Sequence, residues 1–343
     1  MSDEILDIFD LSINELNEIL LNLNEKKFRS KQIYEWLHSH PITTYDDMHN
    51  IPKRVREYLN KEYPLQTLSV KIIKESNDGT KKFLFECEDN NLVESVLIPN
   101  DDERLTACLS TQVGCPMQCA FCATGKQGFI RNLTAQEICF QVSHLIKHSQ
   151  KRIDNIVIMG QGEPFLNYNN VIKAIKRLNH NEAFKVAARK ITISTCGIID
   201  GIHKFSLEPE QFGLAVSLHS ADQATRNVLM PKTKNMPLES LSEALKEYQQ
   251  ISNRRITFEY MLLDGINDSE EQCEKLIDFC KPLLCHVNLL KFNDVEDCKY
   301  KGSSYSKIKQ FENNLINSGI PCSVRKSKGE DIQGACGQLA NSL

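Results

Sequence analysis

Three cysteines fall within eight residues, Cys115-Pro-Met-Gln-Cys119-Ala-Phe-Cys122, a C-x3-C-x2-C spacing. Thiolates so spaced can reach three corners of one small inorganic cluster, whereas structural zinc takes four ligands and iron–sulfur clusters are ordinarily held by four cysteines. One corner is left open. An open iron is what a cluster needs in order to bind a substrate rather than only pass electrons, by the logic that leaves one position free in catalytic zinc sites. A zinc site completed by a distant Cys or His, with His219 the nearest obvious donor, is the alternative.

The chain of 343 residues holds 13 cysteines, and its first ten residues, MSDEILDIFD, are acidic where a secretory leader would be basic. No apolar run reaches the roughly 18 residues needed to span a bilayer, so a cytoplasmic protein without a membrane partner is expected. In that reducing compartment clustered cysteines bind metal or do redox chemistry more often than they form structural disulfides. Scattered ones such as Cys139 and Cys280, inside apolar helical patterns, read as buried side chains. The formal charge of −4 excludes no partner, since a near-neutral total can hide a basic face.

The elements that must position the triplet follow from periodicity. Ser12 with Glu15 forms a capping box ahead of Leu16, Ile19, Leu20 and Leu23; a second helix is expected from Arg29 to His38, and a third from Pro52 at its first position, with Val55 and Leu59 inward. Between Lys26 and Lys61 eight Lys/Arg stand against four Asp/Glu, a local basic excess that reads as a solvated face or an RNA footprint. After Pro64 the period becomes two (Leu68, Val70, Ile72), with turns at Asn77-Asp78-Gly79 and Asn90-Asn91. From Leu105 strands and helices alternate: strands at 105–109, 153–159, 191–195, 213–218, 256–262, 287–292 and 322–325, helices at 134–148, 171–178, 238–251, 269–284 and 306–318. This predicts an α/β fold, a partial (β/α) TIM-like barrel with a small N-terminal helical, HhH-like domain (1–64), a β-hairpin connector (65–100) and a core (101–343). The polar residues at the predicted strand exits, Gly160 to Pro164, Ser194 to Gly197, Ser217 to His219 and Asn293, then gather at one face, where such folds do chemistry.

The triplet, with an aromatic before its last cysteine, resembles the radical S-adenosylmethionine (SAM) superfamily. The stretches Cys108-Leu-Ser-Thr-Gln-Val-Gly-Cys115, Met159-Gly-Gln-Gly-Glu-Pro164, Val216-Ser-Leu-His219, Phe258-Glu-Tyr260 and Asp331 to Leu339 are similar to the RlmN-type RNA adenine-C2 methyltransferases, along essentially the whole chain. The resemblance implies one 4Fe–4S cluster on Cys115, Cys119 and Cys122, with SAM on the fourth iron.

Adenine carbon 2 is electron-poor and cannot attack a SAM methyl group, so another route is required. The resemblance implies that one SAM methylates Cys336, that a second, reductively cleaved, yields a radical that takes hydrogen from that methyl, and that the carbon radical adds to the base. Glu94 would then act as general base, and Cys108 would attack Cys336 to form a transient disulfide and free the product. Gly162 and Glu163 would meet the SAM amino group, Ser194, Ser217, Leu218 and His219 would line its methionine and ribose, and Asn293 would reach the adenine or ribose edge. Glu163 stands at the exit of an apolar Ile-Val-Ile-Met strand, where a carboxylate must be solvated or paired. Gln161 stands where the family usually has Met, Cys196 where Ser is usual, and Asp294 where Pro commonly follows the Asn. The implied partners are 23S rRNA, tRNA and a flavodoxin-type electron donor, with the enzyme a monomer. A sister branch that methylates carbon 8 uses the same cysteines, with Pro164 siding with carbon 2. A radical SAM activase, or a zinc-stabilised RNA-binding module, are the rivals from other classes.

Overall fold

The computed structural model describes residues 7–40, 42–180 and 184–341. Ser12 caps α1 (Ile13–Asn22): its hydroxyl accepts from the Glu15 amide at 3.2 Å and the Glu15 carboxylate accepts from the Ser12 amide at 2.8 Å. Next come α2 (Phe28–Ser39) and α3 (Lys53–Glu62). Leu16, Leu20, Ile33, Leu37, Val55 and Leu59 are all buried in the same apolar cluster as the parallel strands. Each such side chain contributes about 1.5–3 kcal/mol. Pro52, expected inside α3, precedes it as the N-cap with ψ 140°, because its extended ψ cannot belong to a helical turn.

β1 (Leu68–Glu75), β2 (Lys81–Cys87) and β3 (Leu92–Pro99) form an antiparallel meander through the two expected turns, where Gly79 and Asn90 take φ of 81° and 62°. The alternation expected of β1 fails. Its register shifts between Val70 and Ile72, and this bulge leaves Val70 38% exposed rather than inward.

β4 (Leu105–Cys108) pairs antiparallel with β3. There follow β5 (Gln112–Gly114), α4 (Ala123–Lys126), β6 (Phe129–Asn132), α5 (Ala135–Ser149), β7 (Asn155–Ile158), α6 (Tyr168–Asn179), β8 (Ile191–Thr195) and α7 (Ile199–Ser206). The chain then runs through β9 (Gly213–Ser217), α8 (Gln223–Leu229), α9 (Leu238–Ser252), β10 (Ile256–Leu262), α10 (Glu270–Cys280), β11 (Cys285–Lys291), α11 (Tyr305–Asn317) and β12 (Cys322–Arg325). One ten-stranded sheet takes the order β1-β2-β3-β4-β7-β8-β9-β10-β11-β12, parallel from β4 onward, which is the expected partial barrel. The meander continues the same sheet. The short helices α4, α7 and α8 have no counterpart in the sequence reading. Among the described residues no helix is long and apolar enough to cross a membrane.

Charge fastens the N-terminal segment to the barrel: Arg177 on α6 meets Asp7 at 2.7 Å and Asp10 at 2.8 Å, with Lys173 at 3.1 Å from Asp7. A separate two-stranded ribbon, β5 with β6, brackets the cysteine triplet. Its closure requires Gly114, which has φ 72° and would place a Cβ 2.0 Å from the Gly128 carbonyl oxygen; the Cys115 amide donates to that oxygen at 2.7 Å. Gly114→Ala should therefore release the ribbon, at about 1–3 kcal/mol for the backbone conformation alone with the overlap in addition. After anaerobic reconstitution the iron retained per chain should fall well below that of the parent, while the far-ultraviolet dichroism stays close to it. Full iron retention would show that the ribbon does not hold the triplet.

Candidate active site

Each parallel strand delivers a polar residue to one end of the sheet. β8 carries Ser194 next to its last residue and β9 ends in Ser217, and their hydroxyl oxygens lie 3.2 Å apart. β7 leads into Gly160, Gly162 and Glu163, packed so tightly that a Cβ on Gly160 would stand 2.6 Å from the Ser110 hydroxyl and one on Gly162 2.7 Å from Thr111 Oγ1. Cys115, Cys119 and Cys122 face these strand ends across a cavity of about 150 Å³, which Gly162, Glu163, Ser194, Ser217 and His219 also line. Two residues assigned to the same pocket stand elsewhere. Leu218 is fully buried in the main apolar core, because successive strand residues point to opposite faces and its neighbour Ser217 takes the cavity side. Asn293 lines an adjoining, larger cavity and donates from Nδ2 to the Cys336 carbonyl at 3.2 Å.

The electrostatics of the smaller cavity are those of a dry site. Burial pushes the Cys115 thiol up to about 12 and raises Cys122, helped by neighbouring Cys119. Cys196 is raised by its contact with the Cys119 thiol and then by burial. Burial also raises the Glu163 carboxyl, though its Oε2 accepts from the Cys196 amide at 2.7 Å and its Oε1 from the Phe165 amide at 3.0 Å. His219 takes φ 55°, accepts at Nδ1 from the Met261 amide at 3.1 Å, and sets its ring edge-on to Phe121 with centroids 4.7 Å apart. Burial, and then the charge of Arg226, bring His219 down to about 3, so the ring is neutral at physiological pH. Among the described residues no three Cys, His, Asp or Glu gather closely enough to hold a single metal ion. The three soft thiols, of which Cys115 and Cys122 are disfavoured as free thiolates by burial, suit a wider iron–sulfur cluster that supplies the compensating charge. The carboxylate, two hydroxyls and neutral imidazole beside them suit the polar parts of a zwitterionic nucleoside such as SAM.

The larger cavity, of about 540 Å³, is lined by Cys108, Asn293, Lys291, Arg325, Lys326 and Lys328 among others. Cys336 belongs to both linings. It is carried by a C-terminal loop that docks on the triplet itself: the Ala123 amide donates to the Gly337 carbonyl at 2.8 Å and Thr124 Oγ1 to the Leu339 carbonyl at 2.7 Å. Enough protein surrounds this cavity-exposed thiol to push it up to about 11, burial being the main cause and Glu259 the next. Burial also raises Cys108, and the proximity of Cys336 adds to it, so the structure brings together two cysteines 228 positions apart. Both are free thiols here, so the disulfide implied by resemblance is not formed in this state.

Glu94 is not brought to either cavity. Its carboxylate is wholly buried, with Oε1 2.9 Å from Lys82 Nζ at an angle that makes an ion pair rather than a directed hydrogen bond. Its Oε2 accepts from the amides of Ala340 and Asn341 at 2.8 and 3.1 Å. Sequence reasoning also passed over Glu259, which lines both cavities and accepts from Asn288 Nδ2 at 2.9 Å. Its signal was a carboxylate within the apolar run Phe258 to Leu263 of a strand.

Comparison with known proteins places these features in a family. Residues 6–64 match the family described as Ribosomal RNA large subunit methyltransferase N-terminal domain, and residues 109–280 match the Radical SAM superfamily. The chain is 42% identical over 333 residues to a protein of Clostridium novyi (strain NT) named probable dual-specificity RNA methyltransferase RlmN, covering 97% of each. A protein of the same name from Caldanaerobacter subterraneus subsp. tengcongensis is 43% identical over 331 residues, covering 96% of each. The crystal structure of a radical SAM methyltransferase from Sphaerobacter thermophilus superposes with a TM-score of 0.92 at 39% identity, covering 98% of this chain and 100% of that one.

Removing one partner of a buried ion pair strands the other charge. Glu94→Ala should therefore lower the unfolding free energy by about 3–5 kcal/mol, and the double variant Lys82→Met with Glu94→Leu by less, in chemical denaturation. A double variant weaker than either single one would contradict the pairing. The Cys336 thiol is checked separately by iodoacetamide alkylation of cluster-free protein, read by peptide mass spectrometry. With its pKa raised, the thiolate is scarce below about pH 11 and the rate should still climb about tenfold per unit between about pH 9 and about pH 10. An ordinary thiol would have levelled off there.

Proposed function

We propose that this chain, which belongs to the RlmN family of radical SAM RNA methyltransferases, methylates carbon 2 of adenosine in 23S rRNA and tRNA, with Cys336 as the carrier of the methyl group. The observation that carries the reading is the position of Cys336 on the wall common to both cavities. On one side stand the cysteine triplet and Glu163, and on the other Cys108 and a basic rim. When bound, the 4Fe–4S cluster and SAM supply a transferable methyl group and, after one-electron reduction, hydrogen-atom abstraction.

The chain's own residues do the rest. Cys115, Cys119 and Cys122 hold the cluster, and Gly162, Glu163, Ser194, Ser217 and His219 hold SAM, Glu163 answering its ammonium group. Cys336 must give up its thiol proton to accept a methyl group as a thioether. Glu259, whose carboxyl burial raises, lines both cavities beside it and can accept that proton. The methyl carbon then lies within reach of the larger cavity, where an extruded adenine can enter and Cys108 can attack the Cys336 sulfur, forming the S–S bond as the S–C bond to the product breaks. Glu94 braces the tail just beyond Cys336. Proton abstraction from carbon 2 by Glu94 requires the amides of Ala340 and Asn341 to leave its carboxylate first, so we assign that step to a state with the tail displaced.

Among the described residues Lys326 and Lys328 pair only with Asp101, 3.6 and 3.3 Å away at the surface, and can exchange it for phosphate; the cations of α2 and α3 add further positive charge. RNA is thus gripped at the cavity mouth and along the helical segment. We infer a monomeric enzyme of the cytoplasm that draws electrons from a flavodoxin-type donor.

The test is nucleoside mass spectrometry of 23S rRNA and tRNA incubated anaerobically with the reconstituted protein, SAM and a reductant. The expected product is 2-methyladenosine, lost to background in Cys336→Ala, whereas Cys108→Ala should stall with RNA covalently attached. Only 8-methyladenosine, or full methylation by Cys336→Ala, would overturn the reading.

A further inference from the structure

Arg226 is the largest fully buried side chain of the described residues, with no measurable exposure, and its charge is felt by His219. It lies in the middle of α8, whose last residue accepts from the cysteine loop: the Ala120 amide donates to the Leu229 carbonyl at 2.9 Å. The guanidinium makes one hydrogen bond, from Nη2 to the Cys196 carbonyl at 2.6 Å, beneath Gly197, where a Cβ would come within 3.4 Å of the same nitrogen. Among the described residues its Nε and Nη1 have no hydrogen-bond partner. Burial pulls its pKa down, and the groups that pull it back up are the thiols of Cys196 and Cys119.

A buried guanidinium without a carboxylate is costly, several kcal/mol in a dry interior, and arginine does not escape the cost by losing its proton. Something anionic must face it in the working protein. A cluster held by three thiolates is a net anion, becomes a larger one when it takes up an electron, and has a reduction potential set by net charge and by hydrogen bonds to its sulfurs. The positive charge of Arg226 is close enough to be felt at Cys119, the middle ligand of the triplet, and α8, which carries it, is held to the cysteine loop through Ala120.

We propose that Arg226 is the counter-charge of the iron–sulfur centre, a positioning residue whose guanidinium offsets the cluster's negative charge from the Cys119 side and raises its reduction potential. The inference rests on the cluster reading above. The Cys196 peptide links it to the substrate side, since the amide of Cys196 binds Glu163 and its carbonyl binds Arg226. In a closed, low-dielectric site one such charge acts on the reduced cluster more strongly than on the oxidised one, because the reduced cluster carries more negative charge. The sign is therefore fixed: removing Arg226 makes reduction harder.

The test is an anaerobic redox titration with dithionite, followed by electron paramagnetic resonance, on wild type, Arg226→Gln and Arg226→Lys. Each is measured without SAM and then with it, with iron content and dichroism as controls. Arg226→Gln should show a lower midpoint potential without SAM, and Arg226→Lys should stay near wild type; a folded Arg226→Gln that cannot keep its iron while Arg226→Lys does would also support the charge. An unmoved midpoint in iron-replete Arg226→Gln would overturn the inference. So would a shift seen only with SAM present, which would assign the guanidinium to the SAM carboxylate. Equal shifts in both variants, or failure of both to fold, would likewise overturn it by making the guanidinium's hydrogen bond to Cys196 the whole of its role. A wild type without any iron–sulfur signal would overturn the cluster reading itself, whereas a wild-type signal with unmoved variants overturns this inference alone.

Discussion

Two hydrogen bonds to carbonyls of the C-terminal loop fix where Cys336 stands. The Ala123 amide to the Gly337 carbonyl, and the Thr124 hydroxyl to the Leu339 carbonyl, lay the C-terminal loop directly on the cysteine loop. Neither contact depends on the identity of the side chain it positions, yet together they set Cys336 on the wall that the two adjoining cavities share with Cys122, Glu259 and Leu290. A thiol in that position has neighbours on both sides without any large movement of the chain. Gly337, with φ 83°, is what allows the loop to turn back at that point.

The same docking accounts for the burial of Glu94. Its carboxylate holds the amides of Ala340 and Asn341, and buried Lys82 neutralises it, so the tail is tied to β3 by an ionic anchor as well as by the cysteine loop. Such an anchor gives geometric definition more than stability, because two desolvated charges gain little over a pair of apolar side chains. It is also releasable as a unit. Once the two amides leave, Oε2 is free to accept another hydrogen bond while Lys82 stays beside Oε1.

Much of the fold was legible because its signals are periodic. The parallel strands are short apolar runs at regular intervals, and the long helices carry apolar faces at helical spacing, so both were placed to within a few residues. The failures share a cause. β1 loses its alternation at a bulge, Pro52 sits one place outside α3, and α4, α7 and α8 are too short for a period to register. The cysteine triplet was readable because three ligands are close in sequence. The pairing of Cys108 with Cys336, by contrast, rests on tertiary packing across 228 positions and came from resemblance alone. Leu218 and Asn293 show the limit of carrying a motif over as a block: a strand alternates faces, so Ser217 meets the small cavity while Leu218 enters the core.

Buried charges without ordinary partners are concentrated around the triplet. Glu163 is held by backbone amides, Glu259 by one amide side chain, and Arg226 by one carbonyl. Farther from the triplet, Arg177 by contrast pairs with two carboxylates, Asp7 and Asp10. A fold selected only for stability would pair or remove the three, since each costs free energy in a dry interior. On the proposed reading their signs fit their places: Glu163 for a substrate ammonium, Glu259 for the thiol proton of Cys336, and Arg226 for the negative charge of the cluster. The unsatisfied charges thus outline, in the negative, the charge distribution of what the site is built to hold.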